Sequence, residues 1–461
     1  MIALTLIALA SLPPISPHYD DAARHASDPP AVYVVPAQTF RPSALTENAP
    51  RPHKRVYGFL PYWVKADPNA FKWDVLTDVI YFAAEVGGQG QILKSYGWLP
   101  SGAAEAPIAR IAHQNGARAH LAAFVPGNIR GLLASPAART AAVRGLVDLA
   151  VRGKADGLNL DIEPVPEEQR AEYLAFVREV RAALGRALPG AELTVCVYAV
   201  PWYYPGYDLP ELARLSDALL VMSYNYYWKG SAVAGPVAPL QKGTLWNLSV
   251  ADSFENSRGH FSFTTPDKLV MGVSYFGHDW PVESATDYPS KNTGYGSAIE
   301  YRNVVAKIPA GGARWEDQSQ TPFYGYRAGT TSRQLWYDDR RSLEAKYEYV
   351  NQKGLAGVMI WALGYDEGRP ELWEALRQKF VRERPPPPPV VQPPPPSPTP
   401  TPVTPPAAQA PGVVPETAVP LSGEPVEGGG CSTASGSALG WGLLLVVGTW
   451  IATRRQRPST R

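Results

Sequence analysis

Cysteine is almost missing from this chain. Its 461 residues carry two, Cys196 and Cys431, so a disulfide framework is excluded as the basis of the fold, and no metal-ligand spacing occurs. Cys196 lies in the apolar run Leu193-Thr194-Val195-Cys196-Val197-Tyr198 and reads as a buried small hydrophobe. Charge is sparse, at 18%, and balanced to a net +1, with no basic block in the body of the chain. That excludes nucleic acid as the expected partner. The Gly-rich turn that cradles phosphates is absent, and no cofactor is expected. A long apolar run is also lacking: the longest, Ala438 to Ala452, falls short of the ~20 residues of a comfortable membrane span.

What the chain does have is aromatic side chains, 11% of residues, with 13 Trp and 24 Tyr. Such rings build large cores, and they also line clefts that bind sugars, whose apolar C–H faces lie against aromatic faces. Hydrophobic residues make up 45% of the chain, enough for one large domain or two medium ones.

Composition divides the chain. Met1 to Leu12 are almost wholly apolar, and Ala8-Leu9-Ala10 has the small-x-small form of a signal cleavage site. The stretch to Lys54, rich in Pro and Ala and without periodicity, reads as a linker or arm, so residues 1–54 form a signal segment plus arm. Residues 55–382 form the body. Residues 383–430 are dominated by proline, as in Pro385 to Pro389, and read as an extended polyproline spacer. In 431–461, Cys431, the apolar run and Arg454-Arg455-Gln456-Arg457 follow one another. Arginines directly after an apolar run fit a cytoplasmic end. The tail resembles the MYXO-CTERM sorting tail of myxobacterial surface proteins. That resemblance implies a secreted protein, anchored to the cell-envelope membrane through the C-terminal tail. A monomer is expected.

Within the body, eight segments read as strands: Val56–Leu60, Val79–Ala84, Ala119–Phe124, Gly157–Glu163, Leu193–Tyr198, Ala218–Tyr224, Leu269–Ser274 and Ala356–Trp361. Most are continuous apolar runs, as parallel strands buried on both faces require. Helical segments alternate with them. Ser135 to Arg152 is one; another starts near Pro166, with Tyr173, Phe176, Val177, Val180 and Leu184 at helical spacing. The pattern predicts an α/β fold, a (β/α)8 TIM barrel; a doubly wound open sheet is the alternative. The stretch from Tyr275 to Leu335 is too long for a connection and reads as a subdomain inserted between strand 7 and its helix. Its aromatics form a small core of their own or extend the cleft.

The most informative segment is Asp156-Gly157-Leu158-Asn159-Leu160-Asp161-Ile162-Glu163. Its alternation marks a strand, so Asn159, Asp161 and Glu163 share one face. Carboxylates are costly to desolvate, and a row of them makes sense where that face lines a site. In such barrels the site lies at the C-terminal strand ends, where Glu163 falls. The acid behind it raises its pKa and keeps it protonated as a general acid.

This motif resembles the Asp-Gly-x-x-x-Asp-x-Glu signature of glycoside hydrolase family 18, which includes chitinases, chitobiases and endo-β-N-acetylglucosaminidases. Met222-Ser223-Tyr224-Asn225, Lys268-Leu269-Val270-Met271-Gly272-Val273 and Gly357-Val358-Met359-Ile360-Trp361 resemble its sixth, seventh and eighth strands, so the resemblance spans Arg55 to Phe380. Asn159 and Trp336-Tyr337-Asp338-Asp339 are closest to the chitobiase and spore-cortex-hydrolase branches. The resemblance implies hydrolysis of β-1,4 bonds in a polysaccharide or oligosaccharide of N-acetylglucosamine, chitin or peptidoglycan, by a retaining, substrate-assisted mechanism. Glu163 is then the acid and Asp161 orients the substrate's acetamido group. Tyr224 hydrogen-bonds the acetamido oxygen, and Asn159 supports Asp161 from below. Trp361 floors the −1 sugar site, and Asn225 and Met222 bind substrate. Asn225 stands where many members carry Asp. Asn159 leaves Asp161 without an acidic partner to share a proton, so Asp161 is expected to stay ionised. The competing reading is a lectin-like, non-catalytic binding protein on the same barrel; such members lose the acid at the Glu163 position. No LysM or chitin-binding module is visible.

Overall fold

The computed structural model describes residues 16–33, 35 and 51–381. The signal segment, the proline spacer, Cys431 and the C-terminal tail lie outside them. Among the described residues no helix is long and apolar enough to cross a membrane.

The eight apolar runs are eight parallel strands: β1 Arg55–Pro61, β2 Asp78–Val86, β3 Arg118–Phe124, β4 Gly157–Asp161, β5 Glu192–Tyr198, β6 Ala218–Met222, β7 Leu269–Ser274 and β8 Gly357–Trp361. Each pairs with its sequence neighbours, and β8 returns to β1, which also pairs with β2. The ring is a closed (β/α)8 barrel, as expected. β4 to β8 are buried at every position: one face fills the barrel and the other meets the helices, so the alternation visible in most amphipathic strands is suppressed.

Local chemistry sets the helix ends. Ser135 caps Pro136–Gly153 by accepting from the Ala138 amide at 3.2 Å. The last helix before β8, Arg340–Lys353, starts with a reciprocal Asp339–Ser342 capping box and ends on Gly354 at φ 71°. That left-handed conformation is cheap only without a Cβ. After β4, the helix Arg170–Ala187 buries Tyr173, Phe176, Val177, Val180 and Leu184, the positions its spacing marked.

The N-terminal mouth of the barrel is closed by charge. Arg55 and Arg118, which begin β1 and β3, reach Asp78 at 2.8 and 2.9 Å, and each reaches Glu192 at 3.0 Å. Tyr57 donates to Glu192 at 2.7 Å, and His120 lies 2.9 Å from Asp78. Two guanidiniums balance the two carboxylates, as buried charge requires.

Between β7 and its helix lies the expected insertion, a five-stranded antiparallel sheet. Its strands run in the order Ser297–Glu300, Phe276–Val282, Thr331–Trp336, Thr321–Ala328, Arg314–Glu316. It has its own core: Trp280, Phe323 and Trp336 pack with Tyr227 and Trp246 of the connection after β6. These rings stabilise the insertion itself, whereas Phe276, Tyr301, Tyr324 and Tyr326 pack on the barrel core. Tyr295 remains exposed, and Trp315 carries the Arg341 guanidinium at 3.7 Å.

One expectation is corrected. The arm is not all linker. Pro17–Arg24 is a helix, started by Ser16, whose hydroxyl accepts from the His18 amide at 3.1 Å. Its buried residues, Pro17, His18, Asp21 and Ala22, occupy one face at i, i+1, i+4, i+5. Two of them are polar, so no apolar stripe betrays the helix in the sequence.

Candidate active site

The site sits in the C-terminal mouth of the barrel, where β4, β5, β6 and β8 end. β4 ends at Asp161, and Glu163 lies two residues beyond it. Asp161 and Glu163 are both buried, as is Asn159 below them. Tyr224 and Met222 arrive from the end of β6 and Trp361 from β8; all are buried.

Burial pushes the Asp161 carboxyl up to about 7, against the hydrogen bonds of Cys196 and Glu163. It pushes Glu163 up to about 8, with the Asp161 charge adding to the rise; His18, Ser16 and Tyr198 act the other way. Geometry decides which of the pair holds the negative charge. Asp161 Oδ2 lies 2.7 Å from His18 Nδ1, whereas Glu163 Oε1 is 4.0 Å from the same nitrogen. The carboxyl with the closer donor keeps its charge, and the one with the weaker contacts keeps its proton. Glu163 is therefore the protonated member, the state a general acid requires.

One expectation changes here. Asn159 does not support Asp161: its amide donates to Thr194 Oγ1 at 2.9 Å, and its oxygen receives the Cys196 thiol at 3.5 Å. The amide is turned toward β5, and Cys196 is the group beside Asp161.

Asn225 sits at φ 58° and accepts from His278 Nε2 at 2.9 Å, which ties the end of β6 to the insertion. Burial lowers His278 to about 3, so the imidazole is neutral. Met222 is buried at the end of β6, with Ser16 Oγ 3.6 Å from its sulfur.

Cys196 and Tyr198 read as core in the sequence and are site residues in the structure. On β5, Thr194, Cys196 and Tyr198 fall at period 2, and that spacing was the available signal. Tyr365, whose hydroxyl donates to Asp21 at 2.9 Å, had none. Nor had His18, whose ring stacks on Trp361 with centroids 3.7 Å apart and planes at 24°.

A barrel with an acid at the tip of β4, a second acid behind it and a tryptophan floor defines a glycoside hydrolase site. The chain belongs to the glycosyl hydrolases family 18, whose sequence model matches residues 108–366. It is 28% identical to the di-N-acetylchitobiase of Rattus norvegicus over 327 residues, 62% of this chain and 85% of the rat protein. A probable endochitinase of Caenorhabditis elegans is 27% identical over 52% of this chain, which spans only 41% of that longer relative. In structure, a family 18 N-acetylglucosaminidase from Paenibacillus barengoltzii superposes with a TM-score of 0.62 at 21% identity, covering 71% of this chain and all of that one. The spore cortex-lytic enzyme SleL of Bacillus cereus gives 0.56 at 19% identity, covering 72% of this chain and 76% of that one. These likenesses are of fold.

Proposed function

We propose that the chain cleaves β-1,4 bonds of N-acetylglucosamine-containing glycans, chitin oligomers or peptidoglycan, with retention of configuration and with the substrate's acetamido group as nucleophile. One observation carries this reading. Asp161 and Tyr224 face a common point above Trp361, one with a carboxylate and one with a phenol, and a single neutral ring bridges them at 2.7 and 2.6 Å. An acetamido group needs that pair: an acceptor for its N–H and a donor for its oxygen.

Glu163 protonates the glycosidic oxygen as the C–O bond breaks. The acetamido oxygen closes on the anomeric carbon, giving an oxazolinium ion; Asp161 holds the N–H, and Tyr224 steadies the oxygen until it attacks. Water, deprotonated by the Glu163 carboxylate, then opens the ring from the face the leaving group vacated. Two inversions return the β anomer. This departs from the two-carboxylate retaining scheme. The chitobiase, endochitinase and cortex-lytic names among its relatives support the substrate class.

The protein is secreted and anchored to the cell envelope through residues 431–461. Fractionation that finds the full chain in the cytosol refutes that location.

The test of function is the full chain assayed on chitooligosaccharides and purified peptidoglycan, with proton NMR of the first product. The β anomer is expected. An initial α anomer refutes the mechanism, and binding without turnover refutes the enzyme.

A further inference from the structure

The space above Trp361 that the proposed function gives to the −1 sugar is filled by the chain itself. His18 stacks on Trp361 as a sugar ring would. Its Nδ1 meets Asp161 and its Nε2 meets Tyr224. Burial lowers its pKa to about 4, so the ring is neutral. One nitrogen then carries a proton and the other a lone pair. The tautomer that satisfies an ionised Asp161 puts the proton on Nδ1, leaving Nε2 to accept from the Tyr224 hydroxyl. The imidazole thus presents the same N–H and acceptor, to the same two partners, as an acetamido group does.

The rest of the helix is fitted to the same polar pocket. Asp21 accepts from Trp361 Nε1 at 3.0 Å and from the Tyr365 hydroxyl at 2.9 Å. Lys229 reaches Asp20 at 2.5 Å. Further along, His25 stacks on Trp63 with centroids 4.8 Å apart, and the Ala31 amide donates to the Tyr62 carbonyl at 2.7 Å. What remains beside the helix is a crevice of about 40 Å³, space for a few waters and no sugar ring. A helix that merely covered a core would bury leucine or valine. This one buries a histidine and an aspartate against the acid, the phenol and the indole of the site.

We infer that residues 16–24 are a built-in competitive inhibitor: tethered to the barrel, they occupy the −1 sugar pocket by imitating the acetamido group, and substrate must displace them. A tether of this kind supplies an effective concentration in the millimolar range, so modest intrinsic affinity suffices to hold the pocket closed. The inference rests on the functional reading above.

The experiment compares the full chain with its His18→Ala/Asp21→Ala variant on chitooligosaccharides. Neither residue touches substrate in the proposed reaction, since both leave the pocket when the sugar enters. The variant should gain at least ~10-fold in kcat/KM, carried by a lower KM with kcat changed little, as release of a competitor requires. Unchanged kcat/KM in a variant with parental circular dichroism overturns the inference. Should the variant fail to fold, hydrogen exchange on the parent decides. Saturating N-acetylglucosamine-thiazoline should speed exchange of the amides of residues 20–24 and leave the barrel amides unchanged; exchange unaltered by bound thiazoline overturns it. If neither protein hydrolyses either glycan, the proposed function fails on its own. The segment is then judged without ligand: amides of 20–24 as protected as those of β4 support an occupied pocket, and exchange at unfolded rates overturns it.

Discussion

Asn159 is hydrogen-bonded to Thr194, its amide nitrogen 2.9 Å from the threonine hydroxyl, and so faces β5 and not the carboxylate two residues on. The family resemblance places it beneath Asp161 as a support; the structure makes it part of a strand-to-strand bridge that also holds the Cys196 thiol.

The consequence for Asn159→Asp follows from charge. A carboxyl at this depth adds a titrating neighbour to Asp161, and like charges raise each other's pKa. The acidic limb of kcat/KM should move to higher pH, with a modest loss at the optimum. Profiles of the two forms that superimpose would confine Asn159 to packing.

The pH dependence of stability isolates Glu163. Its folded pKa, about 8, lies above the ordinary 4.5, so the native state holds a proton that the unfolded chain releases. That contribution is fully present below pH 4.5 and is lost as pH rises through 8. Glu163→Gln removes it. The variant's stability advantage over the parent should therefore grow from pH 4.5 to 8, to on the order of a few kcal/mol, while activity falls by at least ~10²-fold. Denaturant melts of both proteins across that range check the sign; a difference that shrinks with rising pH rules out a raised pKa.

How far the sequence foretold this molecule depends on which residues carried a pattern. The eight strands were legible because parallel strands buried on both faces become apolar runs, and the file of Asn159, Asp161 and Glu163 because a polar period of 2 inside such a run is rare. Periodicity carries the strand pattern of β4 on to Glu163, two residues past the last paired position, because it continues where hydrogen bonding stops. The helix Pro17–Arg24 escaped because it answers to a polar pocket: its buried face holds His18 and Asp21, which in a sequence look like solvent-facing residues. Tyr198 and Cys196 escaped for the opposite reason, being apolar enough to pass for core.

Tyr224→Phe tests the phenol. In the proposed reaction this hydroxyl steadies the acetamido oxygen as it attacks, and loss of one aligned donor of this type costs about 10²-fold in kcat. The fold should lose only ~1 kcal/mol, since the ring and its packing stay. A kcat within a few-fold of the parent, with substrate saturating, excludes Tyr224 from the chemistry.

The last expectation concerns the frame that holds the insertion over the site. Asp338 is buried where β7 meets the helix Arg340–Lys353. It accepts from Ser274 at the end of β7 at 3.1 Å and from Ser342 at 2.8 Å, and it pairs with the fully buried Lys346. Removing one member of a buried pair strands the other charge, which costs about 3–5 kcal/mol, whereas replacing both by groups of similar volume is close to neutral. Lys346→Met should therefore destabilise the protein by that amount, and Asp338→Leu/Lys346→Met should recover most of the loss. Because Ser274 leads directly into the strand Phe276–Val282 that carries His278 to Asn225, the single variant should also raise KM more than it lowers kcat. Denaturant titration of the two single variants and the double gives the coupling energy. A coupling near zero would mean that the two charges are held apart by water in solution and that the helix is anchored by its Asp339–Ser342 cap alone.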